Sequence, residues 1–307
     1  MINKICTLLL AAFLFTSCSS DDAPAEDPIA TPEVPVTPTE PVVITDPVTP
    51  VITPNPSLIL PKSYRYDLMH NGSAVLVNGA TYKINGDKLV ECGDGVAYLQ
   101  KYTYTGDLIT KIEMWANTTL AHIYEFTYEN NKPKSYTLEY VMFAEFAYKI
   151  QYTYTHNNDG TVSYERKLLS GKYQNGDEDG KGTLTIVNGN ITRDDFVETL
   201  TNAQHSKKES LVYEYDTKNT FCKNIKGLNL LYFLQNTPLV GNQCSANNMI
   251  SKSGLEEIYN LNGSIRTPSR VIYKTLFSYE YNADNYPTKV TDVTGDNTTV
   301  GPTTFAY

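Results

Sequence analysis

The side chains of this sequence that could do chemistry are a few thiols, one indole and one short run of carboxylates. Five cysteines occur: Cys6, Cys18, Cys92, Cys222 and Cys244. Cys18 follows Leu14-Phe15-Thr16-Ser17 at the end of an apolar stretch that begins at Ile5. Small residues just ahead of a thiol are the setting in which a signal peptidase cuts before the cysteine and its sulfur takes up diacylglycerol. Phe15 stands where an aliphatic residue is usual. Cys6 leaves with the leader, so Cys92, Cys222 and Cys244 remain as thiols of the folded chain. In an oxidising exterior Cys222 and Cys244 could close a loop, with a stabilisation of roughly 3 kcal/mol from chain entropy. Spacing alone leaves that pairing open, because it does not bring two Cβ atoms together. Cys92 reads as a small buried hydrophobe rather than a nucleophile. Trp115 is the only tryptophan and the candidate for stacking on a sugar ring, with simple packing on a sheet face as the plainer role.

Asn175-Gly176-Asp177-Glu178-Asp179-Gly180 places oxygen ligands at alternate positions, as a calcium loop does. Its twelfth position is Ile186 instead of a bidentate Glu, so the run reads as a charged hairpin tip. His70, His122, His156 and His205 show no spacing suited to a metal. The sequence has no Gly-x-Ser-x-Gly elbow and no phosphate-binding loop. The expectation is therefore no catalytic residue, no metal and no cofactor. A carboxylate pair of the glycosidase kind is the enzymatic alternative.

The elements that would position these groups divide the chain in three. Residues 1–17 read as a lipoprotein signal peptide, too short in its apolar part to stay as a membrane helix. Residues 18–62 form a Pro/Thr-rich linker that holds most of the 16 prolines. Proline removes a backbone donor and fixes φ, so this stretch should be a semi-extended stalk with a reach on the order of 100 Å. Ser19-Ser20-Asp21-Asp22 resembles the acidic export signal of lipoproteins sent to the bacterial cell surface. Residues 63–307 read as a single β-repeat domain. The formal charge of the whole chain is −9, which makes nucleic acid a poor partner.

Within 63–307 the tyrosines recur as aromatic-x-aromatic pairs: Tyr64/Tyr66, Tyr102/Tyr104, Phe126/Tyr128, Tyr152/Tyr154, Tyr213/Tyr215, Tyr279/Tyr281 and Phe305/Tyr307. Residues two apart share one face of a strand. Asn-Gly recurs at 71–72, 78–79, 85–86, 175–176, 188–189 and 262–263, and this dipeptide favours the type I′ turn of a hairpin. The fold class expected is all-β: a large antiparallel meander of repeated hairpins, as a curved sheet or a soluble porin-like barrel of about a dozen or more strands. Gly227 to Leu234 and Gly254 to Ile258 break the alternation, and the first suggests a short helix that caps or plugs the sheet.

Tyr213-Glu-Tyr215-Asp216-Thr-Lys-Asn219-Thr220-Phe221-Cys-Lys-Asn224-Ile225, Ala246-Asn247-Asn248-Met249-Ile250 and the run from Tyr279 to Val290 resemble a family of bacterial surface lipoproteins of unknown function. Their units are similar to the tyrosine-aspartate repeats of larger surface proteins. The resemblance implies a porin-like β fold and no catalytic residue. The dense Lys, Glu, Asp and Asn of the strands argue for a barrel or curved sheet in water, not a pore. The function expected is that of a non-enzymatic binding or structural module in the outer membrane, exposed at the cell surface. Its partners would be the lipid membrane, through the diacylglycerol on Cys18, and a glycan or envelope protein. A hydrolase of extracellular glycans or peptides is the alternative.

Overall fold

The computed structural model describes residues 58–70, 73–171, 179–198, 205–231, 233–234, 244–260, 262–293 and 300–307. They form β1 (Ser63–His70), β2 (Ser73–Asn85), β3 (Lys88–Gly93), β4 (Tyr98–Thr105), β5 (Leu108–Ala116), β6 (Thr119–Glu129), β7 (Lys132–Tyr140) and β8 (Tyr148–His156). The second half adds β9 (Val162–Gly171), β10 (Gly180–Val187), β11 (Asn190–Glu198), β12 (His205–Tyr215), β13 (Met249–Asn260), β14 (Ile265–Tyr281), β15 (Pro287–Asp292) and β16 (Val300–Ala306). Each strand pairs antiparallel with the next, and β1 pairs with β16, with Tyr64 opposite Phe305. The sheet closes as a sixteen-stranded barrel, the barrel alternative of the two expected forms. Closure leaves no free edge along the paired strands.

Turn chemistry explains where the chain reverses. Asn188 and Gly189 (φ 52° and 78°) and Asn130 and Asn131 (φ 51° and 59°) supply the left-handed pair of a two-residue hairpin. Asn85-Gly86 and Asn262-Gly263 also fall at strand ends, whereas 71–72 and 175–176 lie outside the described residues. Asn78-Gly79 is a correction: it lies inside β2 and makes no turn. A Cβ on Gly79 would collide with the Tyr64 carbonyl oxygen, so this glycine serves the close approach of β1.

Register sorts side chains cleanly by face. All seven aromatic pairs point into the barrel. Tyr102, Phe126, Tyr136, Tyr154 and Tyr213 are buried there with Ile109, Ile112, Leu184 and Ile191. The outer face alternates Thr with charge. Its ion pairs include Lys83–Glu91 (3.0 Å), Lys111–Glu113 (2.6 Å), Arg193–Asp195 (2.8 Å), Lys289–Glu280 (2.6 Å) and Lys149–Glu139. A lipid-facing barrel carries an apolar band there, and each Lys or Arg at mid-membrane costs about 2–4 kcal/mol.

Sixteen strands enclose more space than their own side chains fill. The β12–β13 connection occupies one end. Phe221, Cys222, Ile225, Leu228, Leu231, Phe233, Leu234 and Cys244 are buried in the same cluster as the inner tyrosines. The expected short helix is a single 3-10 turn, Leu228–Leu230, within this plug. Phe233 packs on the rings of Phe126, Tyr136 and Tyr154 (centroids 6.3, 5.7 and 4.9 Å apart). Phe221 stacks between Tyr82 and Phe305 at 5.9 and 5.2 Å.

Hydrogen bonds to the hairpin tips hold the plug. The Lys226 amide donates to the Asp87 carbonyl (2.9 Å), and its ammonium pairs with Asp107 (3.0 Å). The Asn219 amide reaches Asn285 (3.1 Å), and Asn190 and Asn247 exchange two bonds of 3.0 Å. Gly227 (φ 78°) lies so close to the Asp107 carbonyl oxygen that a Cβ would sit 2.9 Å from it. β1 begins and β16 ends at this plugged end. The second sequence break, Gly254 to Ile258, is simply part of β13, because its inward positions are a glycine and the ion-paired Glu256.

Candidate functional site

One pleat beyond the plug, the inner wall of β9–β14 changes from aliphatic to polar. β11 brings Asp194 and Phe196, β12 brings Tyr213, β13 brings Gly254 and Lys252, and β9 brings Tyr164 and Arg166. They share the inner face because Leu184 pairs with Asp194, Gly182 with both Tyr164 and Phe196, Tyr213 with Lys252, and Gly254 with Tyr273. Three inward glycines let rings lie flat on the wall. A Cβ on Gly180 would meet the Phe196 ring, one on Gly182 the Tyr164 ring, and one on Gly254 the Tyr273 ring. The Tyr164 and Phe196 rings are nearly parallel, at 4° and 5.9 Å between centroids, and the Arg166 guanidinium lies 4.4 Å from the Phe196 centroid.

The charges here are unevenly satisfied. The Asp194 carboxylate accepts a bond from the Tyr164 hydroxyl (2.8 Å). Burial outweighs that bond and pushes the Asp194 pKa up to about 6, with Lys252 and Arg166 pulling the other way. Lys252 sits 5.9 Å from the ring centroids of both Tyr213 and Tyr273. Burial lowers the pKa of its ammonium, which makes no hydrogen bond or ion pair among the described residues. The Tyr213 hydroxyl is buried and has no partner among them either. Closer to the open mouth come Lys207, Glu198, Glu209, Glu256 and Arg270, where Glu256 pairs with Arg270 (2.8 Å) and Lys207 (3.6 Å). Tyr273 is 40% exposed, so solvent reaches the wall at that point.

The opposite wall carries a second polar patch. Gln100 is buried between the hydroxyls of Tyr98 and Tyr102, accepting from Tyr102. His122 packs edge-on against Tyr140 (5.4 Å), and burial lowers its pKa to about 4.

The residues singled out from sequence fall elsewhere. Cys18 lies outside the described residues. Cys222 and Cys244 are brought together inside the plug as unbonded thiols with sulfurs 3.8 Å apart. Cys92 is buried on the inner face of β3, and burial pushes its thiol up to about 12. Trp115 stands on the outer face of β5 opposite Leu99, with the Lys101 ammonium 5.1 Å from its ring. It is not part of the lumen wall. Most of the 175–180 run lies outside the described residues, and Asp179 accepts a bond from the Leu168 amide (2.7 Å). His156 bonds the Pro133 carbonyl at 2.8 Å. Among the described residues no three His, Cys, Asp or Glu side chains gather as a metal site. Sequence reasoning missed Lys252, Tyr213 and Asp194; the one available signal was a lysine at an inward position of an alternating strand.

No family model matches the chain, and no curated protein matches it in sequence. In fold it is similar to a porin-like protein from Bacteroides vulgatus known from a crystal structure. That likeness has a TM-score of 0.50 at 13% identity, covering 80% of this chain and 98% of that one. The chain thus has a porin-like β-barrel fold.

Proposed function

We propose that this protein is a lipid-anchored surface barrel that stands in water and serves as a non-enzymatic binding module, with a lumen closed at one end and a polar wall facing the other. The observation that carries this reading is the distribution of side chains. Aromatic and aliphatic groups fill the inside around the plug, while on the outside ion pairs and threonines lie among exposed aliphatics such as Val197. Such a surface is suited to water and costly against lipid. The anchor is then the diacylglycerol on Cys18, the linker 18–62 is the stalk, and the plug built on Phe221, Ile225, Leu228, Leu231, Phe233 and Cys244 argues against a conducting pore. Cell-surface exposure rests on Asp21-Asp22. A glycan or an envelope protein is the partner class, and the similarity of the hairpin units to tyrosine-aspartate repeats belongs to this same reading.

The test uses the full chain in a bacterial envelope. Wild-type protein should take up a labelled fatty acid and stay with membranes, while C18A, exported behind a leader that is cut without lipidation, should be unlabelled and released into the aqueous phase. A C18A chain that stays embedded after alkaline washing, or that conducts ions in a planar bilayer, overturns the reading. Hydrolysis of a glycan or peptide by the purified chain would favour the hydrolase alternative.

A further inference from the structure

We infer that Lys252, Tyr213 and Tyr273 form the receptor for a carboxylate borne on a sugar ring, so that the lumen takes an acidic, uronate-bearing glycan end. This rests on the binding-module reading above and deepens it. The first argument is electrostatic. A lysine held between two tyrosine rings, with no hydrogen bond or ion pair and only the longer-range field of Asp194 to offset it, keeps a charge in a partly dehydrated place with less compensation than such a charge needs. Around it lie Arg166 and the Asp194 carboxylate, whose field reaches Lys252. The acids closer to the mouth leave Lys252 alone, since Glu256 is engaged with Arg270 and Lys207, and Glu209 with Lys207.

The second argument is the Tyr213 hydroxyl. A buried donor with nothing to donate to is unfavourable, and a ligand oxygen between it and Lys252 would relieve that. The third is shape. Glycines beneath Tyr164, Phe196 and Tyr273 lay the rings along the wall; Arg166 covers the Phe196 ring, and the exposed Tyr273 ring is left for the flat C–H face of a sugar. Aromatic cover of a sheet glycine is a structural device in its own right. It accounts for the three rings, but not for an unpaired lysine or an orphaned hydroxyl beside them. A peptide carboxylate is the competing ligand. It would look for a free strand edge to pair with, and the ladders of β9–β14 around Lys252 are already paired on both sides.

Calorimetry on the full chain, with a galacturonate tetrasaccharide, its methyl ester and a short peptide with a free C-terminus, tests this. The acid should bind, and the neutral ester should bind about tenfold more weakly, as expected for loss of one charge-assisted bond. K252M should weaken the acid about tenfold and leave the ester unchanged. Y213F, which keeps the ring, should weaken the acid several-fold. Equal binding of acid and ester, indifference to K252M, preference for the peptide, or no binding of any probe at millimolar concentration overturns the inference. None of these results touches the anchored-barrel reading, which fails separately if C18A stays embedded or conducts.

Discussion

Replacing Phe233 by alanine should destabilise the whole barrel, not just its plug. Phe233 is 7% exposed and its ring meets three wall aromatics on β6, β7 and β8. A buried Phe→Ala change costs about 3–5 kcal/mol through lost transfer energy and the cavity left behind, and each aromatic pair adds about 0.5–1.5 kcal/mol. The plug is a connection with little regular structure, so it relaxes more than a strand would, and the expected loss is about 3 kcal/mol. The assay is equilibrium unfolding of C18A and C18A/F233A chains in urea under reducing conditions, read by Trp115 fluorescence. Trp115 is the only tryptophan and lies on the outer face of β5, so it reports the barrel wall and not the plug. L169A, at a 49% exposed position, is the control and should shift stability by less than about 0.5 kcal/mol. If the Trp115 transition of F233A coincides with the parent while the plug becomes protease-sensitive, plug and wall unfold separately. The argument that the plug completes the core is then wrong.

Two other outcomes follow from the same geometry. Refolding in oxidised glutathione should join Cys222 and Cys244, whose sulfurs are already 3.8 Å apart, with the two electrons and two protons passing to the glutathione disulfide. The bridge should raise stability by roughly 3 kcal/mol; a non-reducing peptide map in which both thiols alkylate freely would refute it. In acid, Asp194 and His122 should act in opposite directions. Burial raises Asp194 to about 6, so its contribution is full below the ordinary carboxylate pKa and is lost as pH rises through 6. Burial lowers His122 to about 4, so its contribution is full above the ordinary imidazole pKa and is lost as pH falls through 4. Denaturation midpoints measured from pH 7 to 4 should therefore fall more steeply in D194N and less steeply in H122F. Parallel curves for all three chains would sink both assignments.

Much of the architecture was legible in the residues because it depends on local rules. Alternation with period two put every aromatic pair on one face, and Asn-Gly at 85–86, 188–189 and 262–263 marked real reversals. The same dipeptide at 78–79 misled, because a glycine needed for close strand approach is written the same way as one needed for a turn. The plug was foreshadowed at Gly227 to Leu234 as a short helix that caps or plugs the sheet, and its helix is a single 3-10 turn, Leu228–Leu230.

Closure, strand number and the lumen site were decided by tertiary structure. Whether β1 meets β16 depends on the accumulated twist and stagger of all sixteen strands, which no window of sequence contains. The sequence by itself determined an aromatic hairpin sheet, because side-chain alternation and turn chemistry act over a few residues. It did not determine that Cys222 meets Cys244, that Trp115 stays outside, or that Lys252 sits between two tyrosines without a hydrogen bond or ion pair. Those facts depend on register between strands and on a connection folded into the barrel, so only the assembled structure could decide them.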